Sequence, residues 1–145
     1  MIPLRSGTPD AVRPLVRASG LPADDLAPDA HVRVVEADGA IVGCVAVEVY
    51  GTTGLLRSLA VAPAHRGEGL GRRLVGAAEH AARDLDLETL VLLTTTATPF
   101  FESLGYVRTD RGAVPDELRA SSEFTSTCPA SAACLSKSLG EAETR

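Results

Sequence analysis

A chain of 145 residues carries about one domain's worth of buried core. Its 14 basic and 19 acidic residues leave a formal charge of -5, which excludes a protein that grips a nucleic-acid backbone by bulk electrostatics. Apolar residues make up 45% but aromatic residues 3%, with no Trp, so the core is expected to consist of Val, Leu and Ala.

No run approaches the ~18 uncharged apolar residues that span a bilayer. The start, Met1-Ile2-Pro3-Leu4-Arg5, lacks the apolar stretch of a secretory signal. A cytoplasmic protein with no membrane or nucleic-acid partner is expected, either a monomer or a homodimer. The three cysteines, Cys44, Cys128 and Cys134, form no C-x-x-C pair, which fits reduced thiols and no metal site.

In chain order, residues 2–5 alternate as a short strand. Thr8-Pro9-Asp10 sets a capping hydroxyl before a proline at the first helical position, and Gly20 and Pro22 close that helix. Residues 31–36 and 41–50 are β-branched runs joined by a turn containing Asp38-Gly39, the signature of a hairpin. After a turn at 51–54, residues 55–61 give a third strand that stops at Pro63. From Gly69 the period changes, and Leu70, Leu74, Ala77, Ala78, Ala81 and Leu85 mark one face of the longest helix, with Arg72, Arg73, Glu79 and Arg83 largely off it. Leu90-Val91-Leu92-Leu93 is the apolar core of a strand over 89–94, buried on both faces. A short helix at 99–104, a strand from Tyr106 to Arg108, one helical turn at 116–120, a last strand at 133–139 and a frayed tail at 141–145 complete an α+β domain spanning 1–145.

The segment Val61-Ala62-Pro63-Ala64-His65-Arg66-Gly67-Glu68-Gly69-Leu70-Gly71-Arg72 puts glycines and arginines between a strand end and a long helix. Helix-initial amides have no internal partner and sit at the positive end of the dipole, so such a turn suits phosphate. It also serves simply to connect strand to helix. It lacks the Gly-Lys-Ser/Thr of a Walker loop and fails the last glycine of a dinucleotide fingerprint.

Arg66, Gly69 and Gly71 match Arg-x-x-Gly-x-Gly, and with the preceding Leu59-Ala60-Val61-Ala62-Pro63 and the later Leu104-Gly105-Tyr106 the sequence resembles the GNAT family of acetyl-CoA-dependent N-acetyltransferases over roughly residues 2–107. The resemblance implies a GNAT acyltransferase fold, a mixed sheet of six or seven strands with helices on both faces, whose fourth and fifth strands splay at the cofactor. It implies acetyl-CoA as co-substrate, held at Leu59, Ala60, Val61, Arg66, Gly67, Glu68, Gly69, Leu70, Gly71 and Arg72. The family's asparagine and tyrosine near the leaving thiolate correspond here to Thr94 and Phe101, also counted as cofactor contacts, and Phe101 has no proton to donate. Tyr50-Gly51, Gly54 to Val61, Leu92 to Thr96, and Glu123-Phe124 before Cys128-Pro129-Ala130 resemble a subgroup named for arsenic resistance, whose members are associated with organoarsenical or phosphinothricin-like amino acids.

Acetyl transfer requires a neutral amine, a route for its proton and donors for the oxyanion. Glu48, which interrupts an apolar strand, Ser58 and Tyr50 are the catalytic candidates. Arg57, Thr95 and Glu123 are the acceptor candidates, with Arg57 expected to clamp an anionic or zwitterionic amine. The bland alternatives are a solvated strand-end residue for Glu48, which its position favours, and an exposed edge charge for Arg57. Cys128 and Cys134 supply two ligands and no third. His65 stands beside the loop, His80 is expected to face solvent, and Tyr106 to pack in the core. The expected reaction is direct attack of the amine in a ternary complex, the alternative being a non-catalytic acetyl-CoA-binding sensor.

Overall fold

The computed structural model describes residues 4–121 and 132–139. Strand β1 (Leu4–Gly7) leads into helix α1 (Pro9–Ala18), where the Thr8 hydroxyl accepts a hydrogen bond from the Ala11 amide at 3.3 Å and Pro9 opens the first turn. Strands β2 (His31–Ala37) and β3 (Ala40–Tyr50) form the expected hairpin. Its turn holds Asp38 at φ 52° and Gly39 at φ 80°, the left-handed pair that a two-residue β-turn requires. Strand β4 (Thr53–Val61) starts two residues earlier than the turn signal at 51–54 suggests, because Tyr50 and Thr53 already pair.

A 3-10 turn (Pro63–His65) and the glycine loop lead to helix α2 (Leu70–Asp84), followed by β5 (Thr89–Thr94), helix α3 (Thr98–Ser103) and β6 (Val107–Arg108). A second 3-10 turn (Arg111–Ala113), helix α4 (Asp116–Arg119) and β7 (Ala133–Ser138) follow. The sheet order is β1-β2-β3-β4-β5-β7-β6, antiparallel throughout except for the parallel β4–β5 pair. Inserting β7 between β5 and β6 gives the apolar β5 neighbours on both edges, which fits its lack of alternation.

Alternation along β2 and β3 sends side chains to two cores. Val35, Val45 and Val47 pack with α2, while Val32, Val34, Cys44 and Ala46 pack with Val12 and Val16 of α1. Leu55, Val91, Val114, Leu118 and Cys134 form a third cluster beneath α4. The buried side of α2 differs from the expected stripe: Val75, Glu79 and Ala82 are buried, and Leu85 is 37% exposed as the helix cap. Glu79 tolerates burial because the Tyr106 hydroxyl donates to it at 2.9 Å and the Lys137 ammonium at 3.1 Å. Tyr106 is thus a core residue, and the same lysine ties back to the Leu104 carbonyl at 3.0 Å.

Leu74 is fully buried between α2 and β3 in the largest of these cores. Leu74→Ala is expected to lower unfolding free energy by about 2–5 kcal/mol, read from the shift in a urea denaturation midpoint. A change below about 1 kcal/mol would place this helix outside the core.

Candidate active site

Strands β4 and β5 pair at three positions, Thr53 with Thr89, Gly54 with Leu90 and Leu55 with Val91, and then part. On its other edge β4 stays joined to β3, but the register shifts: Ala46 faces Arg57 and Cys44 faces Ala60, so β4 carries one more residue than β3. This β-bulge holds Ser58 at φ 60°, a left-handed conformation uncommon for a residue with a side chain. The Cys44 thiol donates to the Ser58 carbonyl at 3.3 Å and the Arg57 Nε to its hydroxyl at 3.3 Å, which fixes the bulge from two sides.

A cavity of about 990 Å³ occupies the gap. Residues 56–61 of β4 form one wall, residues 92–97 with Phe100 and Phe101 another, His65 and the glycine loop one end, and Ser19 to Pro22 after α1 close the other side together with Ala132. Gly67 and Gly69 have φ 83° and 81°, and a Cβ on either would meet nothing within 4 Å. Their backbone therefore lies bare, and Gly69 caps α2 with no side-chain hydrogen bond to its first amides. Gly71 is packed differently, since a Cβ there would lie 3.3 Å from the Phe100 ring. The Arg66 Nε donates to the Val61 carbonyl at 3.0 Å, which ties the loop back to the end of β4.

The cavity lining brings together Arg57, Ser58, Leu59, Ala60, Val61, Arg66, Gly67, Gly69, Leu70, Gly71, Arg72, Thr94, Thr95 and Phe101 among the residues singled out in the sequence. Glu68 lies outside it, 3.3 Å from His65. Glu48 and Tyr50, singled out in the sequence as catalytic candidates, are also outside it. Glu48 is 5% exposed and fully engaged: it accepts from the Ala27 amide at 2.9 Å, from the Tyr50 hydroxyl at 3.0 Å and from Arg57 at 3.4 Å. The Thr94 hydroxyl caps the turn into α3, accepting from the Ala97 amide at 2.9 Å. Glu123 and Cys128 lie outside the described residues.

Arg57 departs most from expectation. Its side chain is 1% exposed, and Asp25, a residue the sequence reading missed, engages the guanidinium through both carboxylate oxygens, at 2.7 and 3.2 Å. A guanidinium so occupied is not an open clamp for an acceptor carboxylate. Sequence spacing carries no signal for this pair, whose members are 32 residues apart.

Burial pushes the Tyr50 phenol up to about 12, with the Glu48 charge adding to the shift, and burial beside Glu79 pushes the Tyr106 phenol up further still. Burial likewise raises the Cys44 thiol to about 12 and moves Cys134 upward, so neither supplies a thiolate near neutral pH. Because the fold favours the neutral phenols, their contribution to stability is complete below pH 10 and is lost as pH rises through about 12 for Tyr50. With two tyrosines and no Trp in the chain, near-ultraviolet titration reads this directly. Tyrosinate absorbance is expected to lag about two pH units behind that of the urea-unfolded chain, and ionisation of both phenols near pH 10 in the folded protein would contradict the burial described.

The family model described as "Acetyltransferase (GNAT) domain" matches residues 28–108. The chain is 36% identical over 92 residues to an amino-acid acetyltransferase of Ralstonia nicotianae, an alignment covering 62% of this chain and 20% of that protein. In structure it resembles N-acetylglutamate synthase from Neisseria gonorrhoeae, complexed with coenzyme A and N-acetyl-glutamate, at 20% identity and TM-score 0.79, over 96% of this chain and 35% of that one. It also resembles a Mycobacterium tuberculosis protein in complex with CoA and NLQ, at 25% identity and TM-score 0.78, over 94% of this chain and 99% of that one. The chain thus spans about a fifth of the curated relative and about a third of the gonococcal synthase. Among the described residues no helix is long and apolar enough to cross a membrane. With a seven-stranded mixed sheet, helices on both faces and the match over 28–108, the chain belongs to the GNAT acetyltransferase family.

Proposed function

We propose that the chain is an N-acetyltransferase that moves the acetyl group of acetyl-CoA to the primary amine of a small, amino-acid-like acceptor, by direct attack in a ternary complex. The observation that carries this reading is the β4 edge from Leu56 to Val61, which loses β5 as a partner and leads through the 3-10 turn at Pro63–His65 into the bare glycine loop. Backbone groups along that edge suit an extended amide-bearing chain such as pantetheine. The amides of residues 67–72, at the start of the 15-residue α2, suit pyrophosphate, with Arg66 and Arg72 adding positive charge.

At the acceptor end the described lining offers the hydroxyls of Ser58, Thr94 and Thr95 and no carboxylate. The amine therefore attacks as the free base, its proton passing to water through these hydroxyls, and turnover rises with pH across the acceptor's own titration. No acetyl-enzyme is expected at the described cysteines: Cys44 and Cys134 are buried outside the cavity lining, and burial keeps their thiols protonated near neutral pH. An amino-acid acceptor draws support from the Ralstonia relative's name. Phosphinothricin-like and organoarsenical amino acids share the α-amine and extend the same class. A second reading, a non-catalytic acetyl-CoA-binding sensor, is favoured by Phe101, which lines the cavity and, by the family resemblance, stands in place of the tyrosine that would donate a proton to the departing thiolate.

One set of measurements separates these readings. Calorimetry is expected to show acetyl-CoA binding that Gly69→Asp and Gly71→Asp each weaken at least about tenfold, through repulsion of pyrophosphate and, at Gly71, a clash with Phe100. Thiol release across a panel of amino acids, their organoarsenical and phosphinothricin-like analogues, polyamines and peptide N-termini is expected to depend on the acceptor. Binding without acceptor-dependent release establishes the sensor, and unchanged affinity in both variants removes the loop from the site.

A further inference from the structure

We propose that Arg57 is a positioning residue that locks the segment between α1 and β2 as a fixed wall of the acceptor end, and does not itself bind the acceptor. The proposal rests on the acyl-transfer reading for the meaning of that wall, but the clamp itself is a separate physical claim.

All three guanidinium nitrogens of Arg57 are used within the protein. Nη1 and Nη2 hold Asp25 in a fork, Nη2 also donates to the Pro22 carbonyl at 3.2 Å, Nη1 to Glu48 at 3.4 Å and Nε to the Ser58 hydroxyl at 3.3 Å. Glu48 accepts from the Ala27 amide, and Arg13 on α1 donates to the carbonyls of Ala23 at 3.2 Å and Leu26 at 2.9 Å. A connection with no helix or strand of its own is thus pinned at residues 22, 23, 25, 26 and 27. Ser19 to Pro22, up to and including the first pin, line the cavity.

Arg57 therefore joins two things that must keep their spacing: the bulge at Ser58 and the wall that faces it. The fork geometry matters, because the five N–H donors of a planar guanidinium serve both Asp25 oxygens, Glu48, Pro22 and Ser58 at once, whereas an ammonium has three donors at a single point. Electrostatics point the same way. One buried cation faces two carboxylates, so an acceptor carboxylate arriving at Arg57 would have to displace Asp25 and meet an uncompensated negative charge. Acceptor selection then comes from the width and polarity of the part of the cavity lined by Ser19 to Pro22, Ser58 and Thr95.

The test compares Arg57→Lys and Asp25→Asn with the unaltered chain, using hydrogen exchange, acetyl-CoA calorimetry and steady-state kinetics with the best amino-acid acceptor and its carboxamide. Both variants are expected to speed exchange at residues 19–30 and to raise the acceptor KM at least about tenfold for acid and carboxamide alike, with kcat and acetyl-CoA affinity changed less than about twofold. A KM penalty confined to the carboxylate form, or a lower KM for the acid in Asp25→Asn, would show that Arg57 binds the acceptor and overturn the proposal. So would unaltered exchange at 19–30. Should Arg57→Lys not fold, Asp25→Asn decides, since Asp25 is 21% exposed at the protein surface. If no acceptor is turned over, the acyl-transfer reading fails on kinetics, while exchange at 19–30 still decides the clamp.

Discussion

The parting of β4 from β5 after Leu55 and Val91 is the constraint from which the site follows. A parallel pair that continued would satisfy the backbone of both strands and leave no room between them. Here the pair stops, the bulge at Ser58 turns β4, and the edge of β4 past Leu55 faces a cavity instead of a strand. The same event places the glycine loop, because β4 ends at Val61 where the Arg66 side chain ties the loop to it. Such an arrangement needs support from outside the sheet. Cys44 and Arg57 hold the bulge residue in its left-handed conformation, and α2 and α1 cover the two faces.

Two buried polar clusters serve opposite ends of this frame. Glu79, Tyr106 and Lys137 join α2 to β7 and to the turn after α3, which keeps Phe100 and Phe101 packed beside the cavity. Asp25, Arg57, Glu48 and Tyr50 join the α1–β2 connection to β3 and β4 on the other face. In each cluster the charged groups have partners of opposite sign, which offsets the desolvation that burial imposes. The cavity between them is lined by hydroxyls, backbone and apolar side chains, with His65 and the arginines of the loop at one end and the occupied guanidinium of Arg57 on the β4 wall.

Local chemistry in the chain announced its local structure. Thr8-Pro9 capped α1, Asp38-Gly39 made the hairpin, and the apolar run of β5 lay between two strands. The shape of the glycine loop was readable for the same reason: glycines at left-handed positions and arginines at a helix start are adjacent in sequence as well as in space. Features made by distant residues were not readable. Nothing in the spacing links Asp25 to Arg57 or Glu79 to Lys137, and so Glu48 and Arg57 looked open to substrate when each is occupied by the other's network. The insertion of β7 beside β5 was hidden similarly, since strand order is set by packing across the whole sheet.

The central claim is that the open β4 edge and the glycine loop form one continuous binding surface. Backbone amide NMR during a coenzyme A titration tests it most directly. The account predicts that the largest shift changes cluster at residues 57–61 and 67–72 and saturate together with a single affinity. Changes concentrated on β1 and β2, or saturating separately at the two segments, would contradict it.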